Sequence, residues 1–138
     1  LPADQIDCPM DFISMSKSGS MLGSGAIIVM DESVCMVKVL YRAMKFFEHE
    51  SCGKCTPCRE GTGWLSSIIG RIENGKGKKE DIELLSDVAG NISGKTFCPL
   101  GDGAATVSMS MIKHFRDEFE EHIKGGCKYK ILHNVIPA

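Results

Sequence analysis

Apolar residues recur every three or four positions over four stretches of the chain, and each stretch predicts an amphipathic helix. The predicted helices begin at Asp31, Thr56, Lys79 and Asp102. Asn74-Gly75 should end the second helix, and Gly125-Gly126 should end the fourth. Because the connections between the helices are short, residues 32–138 predict a four-helix bundle.

The first 31 residues show a different pattern, in which prolines and glycines separate short segments. The apolar run Ala26–Met30 predicts a buried strand, and Asp11 to Lys17 favours a single helical turn. One strand is too little for a sheet domain. We therefore expect residues 1–31 to be the end of an α+β unit, and the fold to be mainly α.

Composition and charge argue against nucleic-acid and membrane partners. Hydrophobic residues make up 43% of the 138 residues and charged residues 25%, with a formal net charge of −2, which gives no electrostatic case for binding phosphates. The longest apolar run is strand-sized, far short of the length that crosses a bilayer. We expect no nucleic-acid partner and no direct insertion into a membrane.

Four of the seven cysteines have the spacing of an iron–sulfur site. Cys52, Cys55 and Cys58 form a C-x2-C-x2-C run, and Cys98 follows much later in the chain. Three thiolates at two-residue gaps can bind three corners of a cubane, and a distant fourth cysteine can bind the remaining corner. The spacing predicts one 4Fe–4S cluster bound by these four residues.

Two other kinds of site use similar cysteines. Structural zinc sites pair two separate C-x2-C knuckles, and Cys98 has no cysteine three residues away. Thiol–disulfide catalysis by Cys52 and Cys55 needs a thioredoxin-like βαβ unit, which the pattern does not predict. A structural zinc-binding interaction domain and a thiol redox sensor stay as alternatives, and both would lack the colour of an iron–sulfur cluster.

The remaining notable side chains have structural interpretations. Cys35 lies in an apolar stretch and is interpreted as packed core, since a buried cysteine behaves as a small hydrophobe. Cys8 and Cys127 lie in irregular segments and receive no role. His122 stands among glutamates and is interpreted as a surface residue, whereas Trp64 could either cover the cluster or belong to the bundle core.

Several segments resemble a known family. Glu50–Gly61, which reads ESCGKCTPCREG, resembles the iron–sulfur signature of the flavoprotein subunit of NADH dehydrogenases, the 51 kDa or F subunit of respiratory complex I and of NADH–quinone oxidoreductases. Thr96–Ala105 resembles that family's fourth-ligand segment, and Lys113–Phe119 resembles the family's next segment along the chain. Gly19–Gly25, which runs into Val29–Glu32, resembles the end of its soluble-ligand-binding β-grasp domain.

This resemblance implies a function as an electron relay. The family's full subunit binds NADH and FMN in an N-terminal domain, and the 4Fe–4S cluster in its C-terminal helical bundle is the first one-electron acceptor. The implied partners are the 2Fe–2S (24 kDa, E-type) subunit and the large iron–sulfur (G-type) subunit. The resemblance also places Pro99 and Leu100 close to the flavin.

The same resemblance sets expectations about what the chain does by itself. Glycine-rich FMN and NADH motifs are not found in the sequence, so we expect a C-terminal portion that does not oxidise NADH alone. The expected location is the cytoplasmic face of a bacterial inner membrane, with the mitochondrial matrix second. NAD-linked hydrogenases and formate dehydrogenases carry the same module, and residues 126–138 match no common ending of the family, which leaves the final electron acceptor open.

Overall fold

The computed structural model describes residues 1–129, which fall into two units. One unit is Leu1–Asp31 and the other begins at Glu32. After a 3-10 turn at Ala3–Gln5, the helices are α1 (Phe12–Lys17), α2 (Met36–Glu50), α3 (Thr56–Glu73), α4 (Glu80–Ile92) and α5 (Pro99–Gly125). The described part of the chain is mainly helical, as predicted, and the identity of residues 1–31 as part of a β-grasp domain stays a prediction.

The N-terminal unit contains the predicted helical turn but not the predicted strand. The Asp11 carboxylate accepts hydrogen bonds from the backbone N–H groups of Ile13 and Ser14 at 2.9 and 2.8 Å, which caps α1. The prediction of a buried strand at Ala26–Met30 was wrong: Val29 is 85% exposed, and no strand occurs within residues 1–129. A strand needs a neighbour to complete its backbone hydrogen bonds, and this unit supplies none.

The second unit is a bundle of the four longer helices. Helices α3 and α5 each contact the other three, whereas α2 and α4 occupy opposite corners. Apolar side chains from all four of these helices form the core. Among those with no exposed surface are Leu40, Met44, Leu65, Ile69, Leu85 and Phe119. The apolar stripes of the four helices therefore face the core, as the helical periodicity predicted.

Two helix starts differ from the predictions. Helix α2 begins at Met36 rather than after Asp31, because Cys35 is its N-cap and the Cys35 Sγ accepts a hydrogen bond from the Lys38 backbone N–H at 3.4 Å. Helix α5 begins at Pro99, three residues before Asp102, since proline at the first helical position loses no hydrogen bond. The starts predicted at Thr56 and near Lys79 are confirmed to within a residue.

An ion pair joins the end of α3 to the start of α4. The Arg71 guanidinium contacts the Asp81 carboxylate at 2.6 Å, and the Lys78 backbone N–H donates to the same carboxylate at 2.9 Å. Burial raises the pKa of Asp81, but these two donors outweigh it and hold the pKa below its ordinary value of 3.8. The ionised form of Asp81 therefore stabilises the bundle.

Replacing Asp81 by asparagine should lower the free energy of unfolding by about 1–2 kcal/mol at pH 7, because a charged hydrogen-bonded pair with one exposed partner is lost. Since the folded pKa is depressed, the difference from the parent chain is fully present above pH 3.8 and shrinks as the pH falls through the folded pKa. Anaerobic urea denaturation measures the difference. The exposed Asp87→Asn is the matched control, and an equal effect at both positions would contradict the assignment.

Candidate metal centre

The structure places the four predicted ligands around the starts of α3 and α5. Cys52 lies in the loop between α2 and α3 and is exposed, Cys55 is the N-cap of α3, and Cys58 lies in the first turn of α3 with 7% of its surface exposed. Cys98 is the N-cap of α5 and is exposed. Three of the four thiols therefore lie at or within one turn of a helix N-terminus.

One contact connects the two cysteine-bearing segments. The backbone N–H of Phe97 donates to the Cys55 Sγ at 3.4 Å, although the two residues are far apart in sequence. The Lys54 ammonium adds a second contact, 5.8 Å from the centre of the Phe97 ring. Cys98, the residue after Phe97, is thereby held beside the C-x2-C-x2-C loop.

The shape of that loop depends on Gly53. Its φ of +79° lies in the left-handed region, where a side chain would be strained. The Arg59 guanidinium donates to the Gly53 carbonyl oxygen at 2.8 Å and fixes the turn from the side of α3. The turn lies between Cys52 and Cys55, so its shape decides how these two cysteines are placed on the loop.

The donor set and its surroundings fit an anionic thiolate cluster. Neither Cys55 nor Cys98 caps its own helix through its side chain, so backbone N–H groups of two helix starts stay available to sulfur, and both helix dipoles favour negative charge. The Ser51 hydroxyl lies 3.2 Å from the Cys58 Sγ. A set of four thiolates suits an iron–sulfur cluster or zinc and does not suit a hard cation.

Ile92, at the end of α4, is the common neighbour of both helix starts. A Cβ atom on Gly61 of α3 would lie 2.6 Å from the Ile92 Cδ1 and Cγ1, and one on Gly101 of α5 would lie 3.1 Å from the Ile92 Cγ2. An alanine at Gly61 would therefore force Ile92 to move, and at Gly101 the closest contacts would be with the Thr96 side chain at 2.7 and 2.8 Å. Helices α3 and α5, which begin after Cys55 and Cys98, therefore both pack against Ile92 in their first two turns.

The two residues expected near a flavin lie at the same end of the bundle. Pro99 is the first residue of α5 and is exposed, and Leu100 follows it, half-buried.

Two further side chains were considered in the sequence. Trp64 is 59% exposed, so the interpretation of its side chain as part of the bundle core was wrong. Cys8 lies in the N-terminal unit, where its Sγ is 3.2 Å from the Ser18 hydroxyl.

The structure also brings together three residues for which the sequence predicted no chemical function: Cys35, interpreted as packed core and confirmed as buried; His122, interpreted as a surface residue; and Cys127, which received no role. The Sγ atoms of Cys35 and Cys127 and a ring nitrogen of His122 lie within 4.8 Å of one another. The prediction of His122 as a surface residue was wrong, because it is only 1% exposed. Its position three residues after the buried Phe119 places it on the inner face of α5, a signal that the neighbouring glutamates obscured. Burial raises the pKa of the Cys35 thiol to about 12.

Three thiols lie at the starts of α3 and α5, two helices that contact each other, and comparison with known families assigns the bundle to the iron–sulfur-binding domains. Residues 38–122 match the family described as the NADH-ubiquinone oxidoreductase-F iron-sulfur binding region. This match spans more than half of the chain, and the chain belongs to that family. Its cofactor is a 4Fe–4S cluster.

Two bacterial relatives extend the similarity beyond this region. The sequence is 52% identical over 139 aligned positions to the F subunit of the NADH-quinone oxidoreductase of Mycobacterium tuberculosis, covering 100% of this chain and 31% of that protein. It is 50% identical over 127 positions to the protein of the same name in Streptomyces coelicolor, covering 91% of this chain and 28% of that protein. The chain thus spans about a third of these relatives, in their C-terminal portion.

A solved structure shares the fold. The NAD+-reducing [NiFe]-hydrogenase in its H2-reduced state superimposes with a TM-score of 0.66 at 31% identity, covering 70% of this chain and 17% of that chain.

No helix within residues 1–129 is both long and apolar enough to cross a membrane. Residues 130–138, which include most of the unusual tail noted in the sequence, lie outside the described residues.

Proposed function

We propose that Cys52, Cys55, Cys58 and Cys98 bind the 4Fe–4S cluster, and that the domain relays single electrons from a flavin to partner iron–sulfur subunits. When bound, such a cluster takes up and releases one electron at a time. The observation that carries the proposal is the hydrogen bond from the Phe97 N–H to the Cys55 Sγ, because it joins the segment of the fourth cysteine to the loop of the other three.

The chain's own residues would bind and tune this centre. The N–H group of Phe97 and the two helix starts direct positive charge at the sulfurs, which favours the extra negative charge of the reduced form. The Lys54 ammonium and the Arg59 guanidinium add positive charge on the same loop. These groups should make the centre easier to reduce than an equivalent site without them.

Exposure of the site supports exchange of electrons with other domains. Cys52, Cys98 and Pro99 are all exposed at one end of the bundle. We propose that FMN, reduced by NADH in an N-terminal domain, approaches Pro99 and Leu100, and that residues 1–31 are the end of a β-grasp domain. The receiving partners would be the 2Fe–2S (E-type) and large iron–sulfur (G-type) subunits of an NADH:quinone oxidoreductase, on the cytoplasmic face of a bacterial membrane.

A chimera tests the relay. The matched third of the Mycobacterium tuberculosis F subunit is replaced by this chain, which is 52% identical to it, and the chimeric protein is assembled with its complex. Reduction of quinone by NADH should depend on Cys98, whereas reduction of an artificial acceptor that takes electrons directly at the flavin should not. Cys98→Ala should therefore lower the first rate by about 100-fold or more and leave the second within about twofold.

The same chimera carrying Cys8→Ala is the control, and both rates should match those of the parent chimera. Quinone reduction that survives in a Cys98→Ala chimera without iron in this domain would contradict the relay. Loss of both activities would show that the variant disrupts flavin binding instead, which also contradicts the proposed division of roles.

A second candidate function places the same relay in an NAD-linked hydrogenase. The structural match to the NAD+-reducing [NiFe]-hydrogenase favours it, because a bundle of this fold occurs in that enzyme. The two candidates differ only in the partner. Copurification of the tagged parent protein with a nickel-containing subunit would favour the hydrogenase, and copurification with a quinone-reducing complex would favour the leading proposal.

A further inference from the structure

The three residues Cys35, His122 and Cys127 form a second cluster of metal-binding side chains. Cys35 is the N-cap of α2, His122 lies in the last turn of α5, and Cys127 follows the end of that helix. The site lies at the opposite end of α3 from Cys58, because the nearby Glu73 is the last residue of that helix. With 18 residues, α3 is about 27 Å long, so the two clusters are separate.

The separations between the donor atoms suit a single tetrahedral ion. The Cys35 Sγ lies 3.3 Å from the His122 Nε2, and Zn²⁺ bound to sulfur and nitrogen at ordinary lengths separates them by about 3.6 Å. The three donor atoms lie within 4.8 Å of one another, and two thiolates on one zinc ion are about 3.8 Å apart. Small side-chain adjustments would bring all three into coordination.

The imidazole of His122 is oriented as a ligand. Its Nδ1 lies 2.8 Å from the Glu118 carbonyl oxygen, which can only accept, so Nδ1 carries the proton. In the neutral imidazole this tautomer leaves the lone pair on Nε2, which lies 3.3 Å from the Cys35 Sγ. A backbone carbonyl that holds the distal ring nitrogen in this way is the usual support of a metal-bound histidine.

Glu73 supplies a nearby fourth donor. Its Oε2 lies 3.6 Å from the His122 Nε2, against about 3.4 Å for oxygen and nitrogen on one tetrahedral zinc ion. The Glu73 side chain is only 7% exposed. The Cys35 Sγ also accepts a hydrogen bond from the Lys38 backbone N–H at 3.4 Å, as metal-bound thiolates do from backbone groups.

We propose that one divalent metal ion of intermediate softness, most readily Zn²⁺, is bound by Cys35, His122 and Cys127, with Glu73 as the nearest fourth donor. Two sulfurs and an imidazole select such a cation over Mg²⁺ or Ca²⁺. The ion would join the start of α2 to the ends of α3 and α5. Its role is structural and independent of the relay proposed above.

Zinc titration of the intact chain tests the site. Because Zn²⁺ can also bind empty cluster cysteines, the protein is first loaded with iron and sulfide anaerobically, and Zn²⁺ affinity is then measured against a chromophoric chelator. One equivalent should bind with iron retained, and X-ray absorption at the zinc edge should show two sulfur ligands and imidazole. Cys127→Ser should weaken binding by about 100-fold or more.

Cys127 is the variant of choice because it is half-buried and lies outside the helices, so its replacement should leave the bundle folded. Cys8→Ser is the matched control and should bind Zn²⁺ like the parent. Equal affinity of the Cys127→Ser variant, or zinc uptake that releases iron one for one, would overturn the proposal. A Cys35–Cys127 disulfide in anaerobically purified protein, with no zinc uptake after reduction, would overturn it as well.

Discussion

Replacing Cys98 by alanine should abolish assembly of the iron–sulfur cluster and leave the four-helix bundle folded. The side chain is exposed and makes no capping hydrogen bond to α5, so its replacement would remove a proposed ligand without removing packing. A cubane that keeps only three thiolates exposes one iron to solvent and exchange. Iron and acid-labile sulfide should fall from about four per chain to well below one.

The matched control for Cys98→Ala is Cys8→Ala, which changes a free cysteine in the N-terminal unit. Its iron and sulfide content should equal that of the parent chain. Far-ultraviolet circular dichroism of both variants should report the same helical content. A Cys98→Ala protein that still held about four irons and four sulfides would exclude Cys98 from the ligand set.

Replacing Gly61 by alanine should destabilise the bundle although alanine is the better helix former. The new Cβ would lie 2.6 Å from two atoms of Ile92, which is itself only 1% exposed and has little room to move. Overpacking of this kind costs about 1–3 kcal/mol, against a gain in helix propensity of about 1 kcal/mol. Urea denaturation should show a net loss of up to about 2 kcal/mol in the free energy of unfolding.

Gly90→Ala is the control for the propensity effect. Gly90 also lies within a helix, is exposed, and would place its Cβ in open space, so the same substitution should stabilise the chain by about 0.5–1 kcal/mol. The Gly61→Ala penalty should shrink in an Ile92→Ala background, where both clashing atoms are gone. Equal effects at Gly61 and Gly90, or no coupling to Ile92, would refute the close approach.

Helix periodicity and cysteine spacing made most of the bundle predictable. Apolar stripes identify the inward faces of α2 to α5 without tertiary information, and Thr56-Pro57 marks the start of α3 because proline at the first helical turn costs no hydrogen bond. The C-x2-C-x2-C run can likewise be recognised from residues that are close together in the sequence. The prediction that its loop lies beside the segment of Cys98 came from the need of a cluster for a fourth thiolate, and the contact from Phe97 to Cys55 supports it.

The features that sequence reasoning missed depend on neighbours that are distant along the chain. Ala26–Met30 has strand composition, but a strand forms only beside a partner, and the structure supplies none within residues 1–129. His122 is polar and flanked by glutamates, yet the position of Phe119 decides its burial. The convergence of Gly61 and Gly101 on Ile92 follows from packing alone. The local pattern of apolar and polar residues carries no information about any of these contacts.

Low-temperature EPR of the anaerobically prepared, dithionite-reduced chain is the decisive test of the electron-relay function, with iron, sulfide and zinc assayed on the same sample. We expect the fast-relaxing signal of a reduced 4Fe–4S cluster, integrating to about one spin per chain with about four irons and four sulfides. A silent spectrum from a colourless protein that contains zinc but no sulfide, after cluster reconstitution has also failed, would contradict the electron relay and favour a structural zinc domain.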